Sequence, residues 1–135
     1  GAALASYSPL VKARTKVKTA NAVPGAFIAH PRDEGTLADL TDQNDQPLMM
    51  PQALSELPML TTTSVPTDLG GGTDSVILHG DWQYCLIGMR SDVRIEILRE
   101  RYMDTHQFGF LAHMRMDTAR VHSSAFAKIT GVAAP

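Results

Sequence analysis

The chain is poor in cysteine. It holds a single cysteine, Cys85, among 135 residues, so no internal disulfide framework can form, and synthesis in a reducing compartment is expected. A net charge of −2 gives no strong pull toward nucleic acid or an acidic membrane surface. Its longest apolar run falls far short of the roughly 20 residues that cross a bilayer as a helix. The opening Gly1-Ala2-Ala3-Leu4 lacks the basic start and sustained apolar stretch of a secretory signal. It also lacks an initiating Met, so the chain is expected to be a fragment or a processed product. Internal repeats and low-complexity stretches are absent as well.

What is present is ordinary globular composition. Hydrophobic residues make up 44% of the chain and charged residues 19%, enough for one domain with a real core and too apolar for disorder.

The candidate chemical groups do not converge. His30, His79, His106, His113 and His122 include no pair at the i,i+2 or i,i+4 spacing that builds a local metal site. His79 with Asp81 is the best local pair, because a carboxylate beside a histidine can orient a ligand. A turn aspartate accepting backbone N–H bonds explains Asp81 more simply. Cys85 sits in an apolar run between Tyr84 and Leu86, which suits a buried thiol better than a nucleophile. Ser123 and Ser124 lack the Gly-x-Ser-x-Gly context of a nucleophile elbow. Gly70-Gly71-Gly72 is followed by no Gly-Lys-Ser/Thr, so this loop is read as flexible surface and not as a phosphate cradle. Asp33-Glu34 is read as a complement to a helix dipole. The reading is therefore a non-enzyme: no catalytic residue, no metal and no cofactor.

Periodicity sketches the elements. Ser8 as N-cap and Pro9 at the first helical position start a helix over 9–20, with Leu10, Ala13, Val17 and Ala20 on one side. Lys12 and Lys16 lie opposite and Arg14 and Lys18 flank them, which reads as a solvated face rather than a phosphate-binding stripe. A short strand is expected over Ala26–His30, a helix over Arg32–Leu40, and a turn over Asp42–Pro47. An ordered loop or single turn follows over Leu48–Pro58, then a Thr-rich strand over Leu60–Val65. Val76–Leu78 should be a core strand. Asp92–Arg99 places Val93, Ile95 and Ile97 on one face. Gln107–Asp117 does the same with Phe108, Phe110, Ala112, Met114 and Met116. Strict alternation of this length predicts two half-buried antiparallel strands joined near Glu100–Asp104, whose apolar face needs a cover.

Several segments in order are similar to the major capsid proteins of tailed bacteriophages, over most of the chain and most firmly from Val76 onward. They are the helix at Pro9–Ala20, the Ala26–Pro31 strand running into Thr36–Leu40, and Asp42–Leu48. Gly80-Asp81-Trp82, Ile87-Gly88-Met89-Arg90, Arg115-Met116-Asp117 and Ala125-Phe126-Ala127-Lys128-Ile129 follow. Before Pro47-Leu48 this chain has Asp45-Gln46 where the family often has glycine. The resemblance covers the C-terminal half of such a protein, without its N-terminal arm, extended loop and spine helix.

It implies an α+β fold: a mixed or antiparallel sheet with flanking helices, the A domain around the capsomer axis, plus a long P-domain-like hairpin. Residues 1–90 with 119–135 would be A-domain-like and 91–118 the hairpin. It implies a shell subunit of a phage or prophage virion, made in a bacterial cytoplasm. The partners implied are copies of itself in hexamers and pentamers, portal or scaffolding proteins, and enclosed DNA bound without specificity; no membrane is involved. The hairpin's apolar face would normally meet the missing spine helix, so in this chain alone it should be exposed, swapped or paired. Some members cross-link a lysine to an asparagine on the return strand with help from a glutamate. Thr105–Met116 has neither Asn nor Glu, so no such cross-link is expected here.

Arg99, Glu100, Arg101 and Asp104 at the hairpin tip are the candidates for inter-subunit ion pairs. A merely solvated turn is an equal alternative, since exposed pairs contribute only about 0–1 kcal/mol. Trp82 and Phe126 are expected in the core. Rival readings are an encapsulin-type shell around enzyme cargo, a small metal- or thiol-dependent hydrolase using His79, Asp81 or Cys85, and a small adaptor that binds by adding a strand to its hairpin.

Overall fold

The computed structural model describes residues 4–98 and 103–133. It separates into two units, one of residues 1–84 with 122–135 and one of Cys85–Val121.

The first unit is a four-stranded mixed sheet covered by helices. Helix α1 (Ser8–Thr19) buries Leu10, Ala13 and Val17, the spacing expected of one apolar stripe. Ala20 caps the helix and is only half-buried. Ser8 is not the N-cap: it is the first helical residue, and its N–H reaches back to the Ser6 hydroxyl at 3.4 Å. One orphan donor of the first turn is thus met one step earlier than the Ser-Pro pattern suggests.

Strand β1 (Phe27–Ala29) leads through His30 into helix α2 (Pro31–Ala38). The His30 Nδ1 accepts from the Arg32 N–H at 3.1 Å, so a histidine takes the capping role here. A single helical turn, α3 (Gln52–Ser55), precedes β2 (Met59–Thr61), which pairs parallel to β1. The long crossover through α2 and α3 is what a parallel pair requires. Strand β2 is shorter than the Thr-rich run suggested, stopping at Thr61.

Strand β3 (Asp74–Gly80) is central, antiparallel to β1 on one side and to β6 (Phe126–Ala133) on the other, in the order β2-β1-β3-β6. It runs four residues longer than the apolar Val-Ile-Leu core, because polar Asp74, Ser75 and His79 are buried with it. Tyr7, with Leu10 and Val17 from α1, meets Phe27, Leu37, Leu54, Ile77 and Val132 in the core.

A buried polar cluster ties α2 to the sheet. Asp33 is 1% exposed; its carboxylate accepts from the Ser75 hydroxyl at 2.5 Å and from the Arg32 guanidinium at 3.3 Å. The same guanidinium donates to the Thr73 and Val132 carbonyls. Asp33 is therefore a structural anchor and more than a dipole complement.

The second unit is a two-stranded ribbon. Strands β4 (Cys85–Leu98) and β5 (Gly109–Arg120) pair antiparallel from Cys85↔Arg120 to Leu98↔Gly109. β4 begins seven residues earlier than the alternation at Asp92 suggested. Register shifts between Met89 and Ser91 and between Ser91 and Arg94 each insert one extra β4 residue. One insertion would turn the following side chains to the other face; two restore it. Met89 and Ile95 therefore share the face of Met116 and Ala112.

Candidate assembly surface

The ribbon carries the chain's most unusual surface. Ile87, Met89, Ile95 and Ile97 stand opposite Thr118, Met116, Ala112 and Phe110, and Val93 lies on the bulged segment between Ser91 and Arg94. Alternation alone reads these strands as half-buried, whereas the missing spine helix leaves their apolar face exposed, swapped or paired. These side chains are largely in water, with Ile95 67% and Phe110 70% exposed. A two-stranded ribbon has no second layer, so its pleat aims the apolar set at solvent. Full burial of each large apolar side chain is worth about 1.5–3 kcal/mol, so a contiguous row of them is a strong driving force for association. The other face carries Arg94, Glu96, His113 and Arg115, interrupted by exposed Leu86 and Leu111.

Of the hairpin-tip candidates, Asp104 lies in a single 3₁₀ turn (Met103–Thr105) and is exposed. Arg99, Glu100 and Arg101 lie outside the described residues. The expected join at Glu100–Asp104 therefore falls partly outside them too.

In the compact unit, the Gly80-Asp81-Trp82 corner locks the chain between β3 and its exit. Asp81 accepts from the Val23 N–H at 3.0 Å and the Gln83 N–H at 3.2 Å, the turn role that its position indicates. Gly80 is required by space: a Cβ there would meet the Ala125 carbonyl at 2.8 Å and the Phe126 ring. Trp82 and Phe126 form an edge-on pair with centroids 5.7 Å apart, and the indole N–H donates to the Ala26 carbonyl at 2.9 Å. Both rings are half-buried rather than fully inside: Phe126 packs against the core, and Trp82 lies over its rim. Cys85 is likewise half-buried.

His79 is stacked on Phe27, with ring centroids 4.0 Å apart, and is 1% exposed. Burial pushes its pKa below the usual 6.5; the nearby Ala26 carbonyl opposes that and the Arg14 charge reinforces it. Neither ring nitrogen has a well-formed hydrogen bond. Among the described residues no group of three His, Cys, Asp or Glu side chains is placed to hold a metal ion. His79 and Asp81 thus do separate work, in packing and in turn formation. The sequence reading missed the Arg32–Asp33–Ser75 cluster, in which Ser75 lies 42 residues from Asp33 and carries no local signal.

The comparisons agree with this architecture. The sequence profile of the phage capsid family matches residues 1–131. No curated protein is similar at a significant level. Among solved structures, a Gordonia phage Cozz chain superimposes with a TM-score of 0.71 at 17% identity, covering 93% of this chain and 45% of that one. The capsid of an empty GTA particle gives 0.69 at 18% identity, over 98% and 46%. An encapsulin complex from Synechococcus elongatus gives 0.64 at 13% identity, over 94% and 49%. The chain therefore spans somewhat under half the length of the structures it resembles, and shares their α+β fold. With the family profile spanning nearly its whole length, this chain belongs to the phage capsid family.

Proposed function

We propose that the chain is a structural part of a phage or prophage icosahedral shell, working through self-association and not through catalysis. The observation that carries this is the solvent-facing apolar side of the β4–β5 ribbon, a surface that only an assembly or additional chain can cover. The compact unit takes the role of the A domain near a capsomer axis, and the ribbon that of the peripheral P-domain hairpin. Rings of such subunits close through heterologous contacts, in which one patch meets a different patch on the next copy. The shell encloses DNA without reading its sequence, belongs to the virion, and is made in the bacterial cytoplasm. Portal or scaffolding proteins are its further partners. Arg99, Glu100, Arg101 and Asp104 form salt-sensitive pairs between subunits, and no lysine–asparagine cross-link forms on β5.

The test is to express the complete reading frame containing this chain and image the product by electron microscopy. Closed icosahedral particles are expected. Soluble small oligomers alone refute the shell reading, and particles holding an enzyme instead of DNA transfer it to the encapsulin class, whose fold is also similar. Particles carrying Arg101→Glu should assemble with altered salt dependence; unchanged behaviour removes the tip from the interface.

A further inference from the structure

The charges of the compact unit are sorted along the chain. Residues 1–32 carry five lysines and arginines and no carboxylate, whereas residues 33–89 carry nine carboxylates and no lysine or arginine. On α1, Lys12, Lys16 and Lys18 are exposed, Lys12 and Lys16 one turn apart on the side away from the core. Arg14 differs, since its Nε is buried. Glu34, Asp39, Asp42 and Asp45 are exposed on α2 and the loop that follows. Among the described residues none of these seven side chains forms an ion pair, whereas Arg32 and Asp33 pair with each other.

Their placement gives the unit a polarity. The Tyr7 hydroxyl, just before α1, donates to the Leu37 carbonyl at 3.0 Å and lies 3.3 Å from that of Leu48. These contacts hold the base of the acidic loop at the N-terminal end of α1. The loop itself is closed by the Thr41↔Pro47 bridge and by the Asp42 carboxylate, which accepts from the Asn44 and Gln46 N–H groups. Lys16 and Lys18 sit in the last turn of α1, and Lys18 is about 16 Å further along the axis than Tyr7 at 1.5 Å per residue. The acidic loop thus lies at the N-terminal end of α1 and Lys16 and Lys18 at the other, both matching the helix dipole, with Lys12 between them.

Resting on the shell reading, we propose that the basic side of α1 (Lys12 and Lys16, with Lys18 flanking them in the last turn) docks the acidic end (Glu34, Asp39 and the 42–45 loop) of a second copy of this chain. The contact is heterologous, as ring closure requires, and each copy offers both halves. It sets orientation and register between neighbours, while the apolar ribbon supplies association of another kind.

The test uses sedimentation velocity on the chain and two variants, one with Lys12→Glu, Lys16→Glu and Lys18→Glu, the other with Glu34→Lys and Asp39→Lys. Self-association of the parent should weaken as NaCl rises from about 0.1 M to about 1 M, where the screening length falls from about 10 Å to about 3 Å. Each variant alone should associate at least about tenfold more weakly, and an equimolar mixture of the two should recover the association. The mixture guards against misfolding, because misfolded variants do not rescue each other. A monomeric parent at both salts, variants that associate like the parent, or a mixture without rescue each overturn the proposal. So does a lysine variant that loses duplex-DNA binding yet self-associates normally, which would assign the face to a polyanion. In the complete reading frame, variant particles with parental yield and salt dependence refute this contact and leave the shell reading intact. Absence of particles from the parent frame counts against the shell reading itself.

Discussion

Phe110→Ala separates a surface meant for assembly from a surface that merely folds. Phe110 is 70% exposed and its paired neighbour is Ile97 on β4. Within this chain the truncation removes little beyond that cross-strand contact, worth about 0.2–1 kcal/mol. Burying a phenylalanine and then truncating it costs about 3–5 kcal/mol. If the assembled shell covers the exposed seven-tenths, the same substitution should cost about 2–3.5 kcal/mol there, roughly 30- to 400-fold in an association constant. Phe27, only 1% exposed, is the internal control, and Phe27→Ala should cost about 3–5 kcal/mol in the chain by itself. Urea titration of the 135-residue chain measures the first quantity, and guanidinium disassembly of particles from the complete reading frame measures the second. The reasoning fails if Phe110→Ala costs the isolated chain as much as Phe27→Ala, or if particles are indifferent to it.

Three further outcomes follow from the compact unit. Because the folded-state pKa of His79 lies below its ordinary 6.5, the unfolded chain takes up the proton more readily. The stability that depends on neutral His79 is complete above pH 6.5 and is lost as pH falls from there toward the folded pKa; urea midpoints should drop over that window, and less so in His79→Gln. Ser75→Ala leaves the buried Asp33 carboxylate without its closest donor and should cost about 1–3 kcal/mol by urea titration, with Ser75→Thr less damaging. Asp81→Ala removes the acceptor for two backbone N–H groups and should cost about 1–3 kcal/mol, measured the same way, whereas Asp81→Asn should retain part of it.

Period-three-to-four spacing in Leu10, Ala13 and Val17 determined helix α1 without outside help, because one amphipathic turn repeats within a few residues. The alternation through Ile95–Ile97 and Phe110–Met116 likewise determined the ribbon and its two faces, since pleating is a property of consecutive residues. The role of Asp81 was legible too, as turn aspartates bond to their own neighbourhood. Local pattern does not reveal what lies across a strand. That Asp33 meets Ser75, that His79 stacks on Phe27 and that Trp82 stops at the rim were decided by the sheet order β2-β1-β3-β6. The two register shifts were equally hidden, because an inserted residue looks like any other until its partner strand is beside it. Alternation states that a face of the ribbon is apolar and not whether anything covers it: the resemblance left it exposed, swapped or paired, and only the tertiary structure decided for exposure.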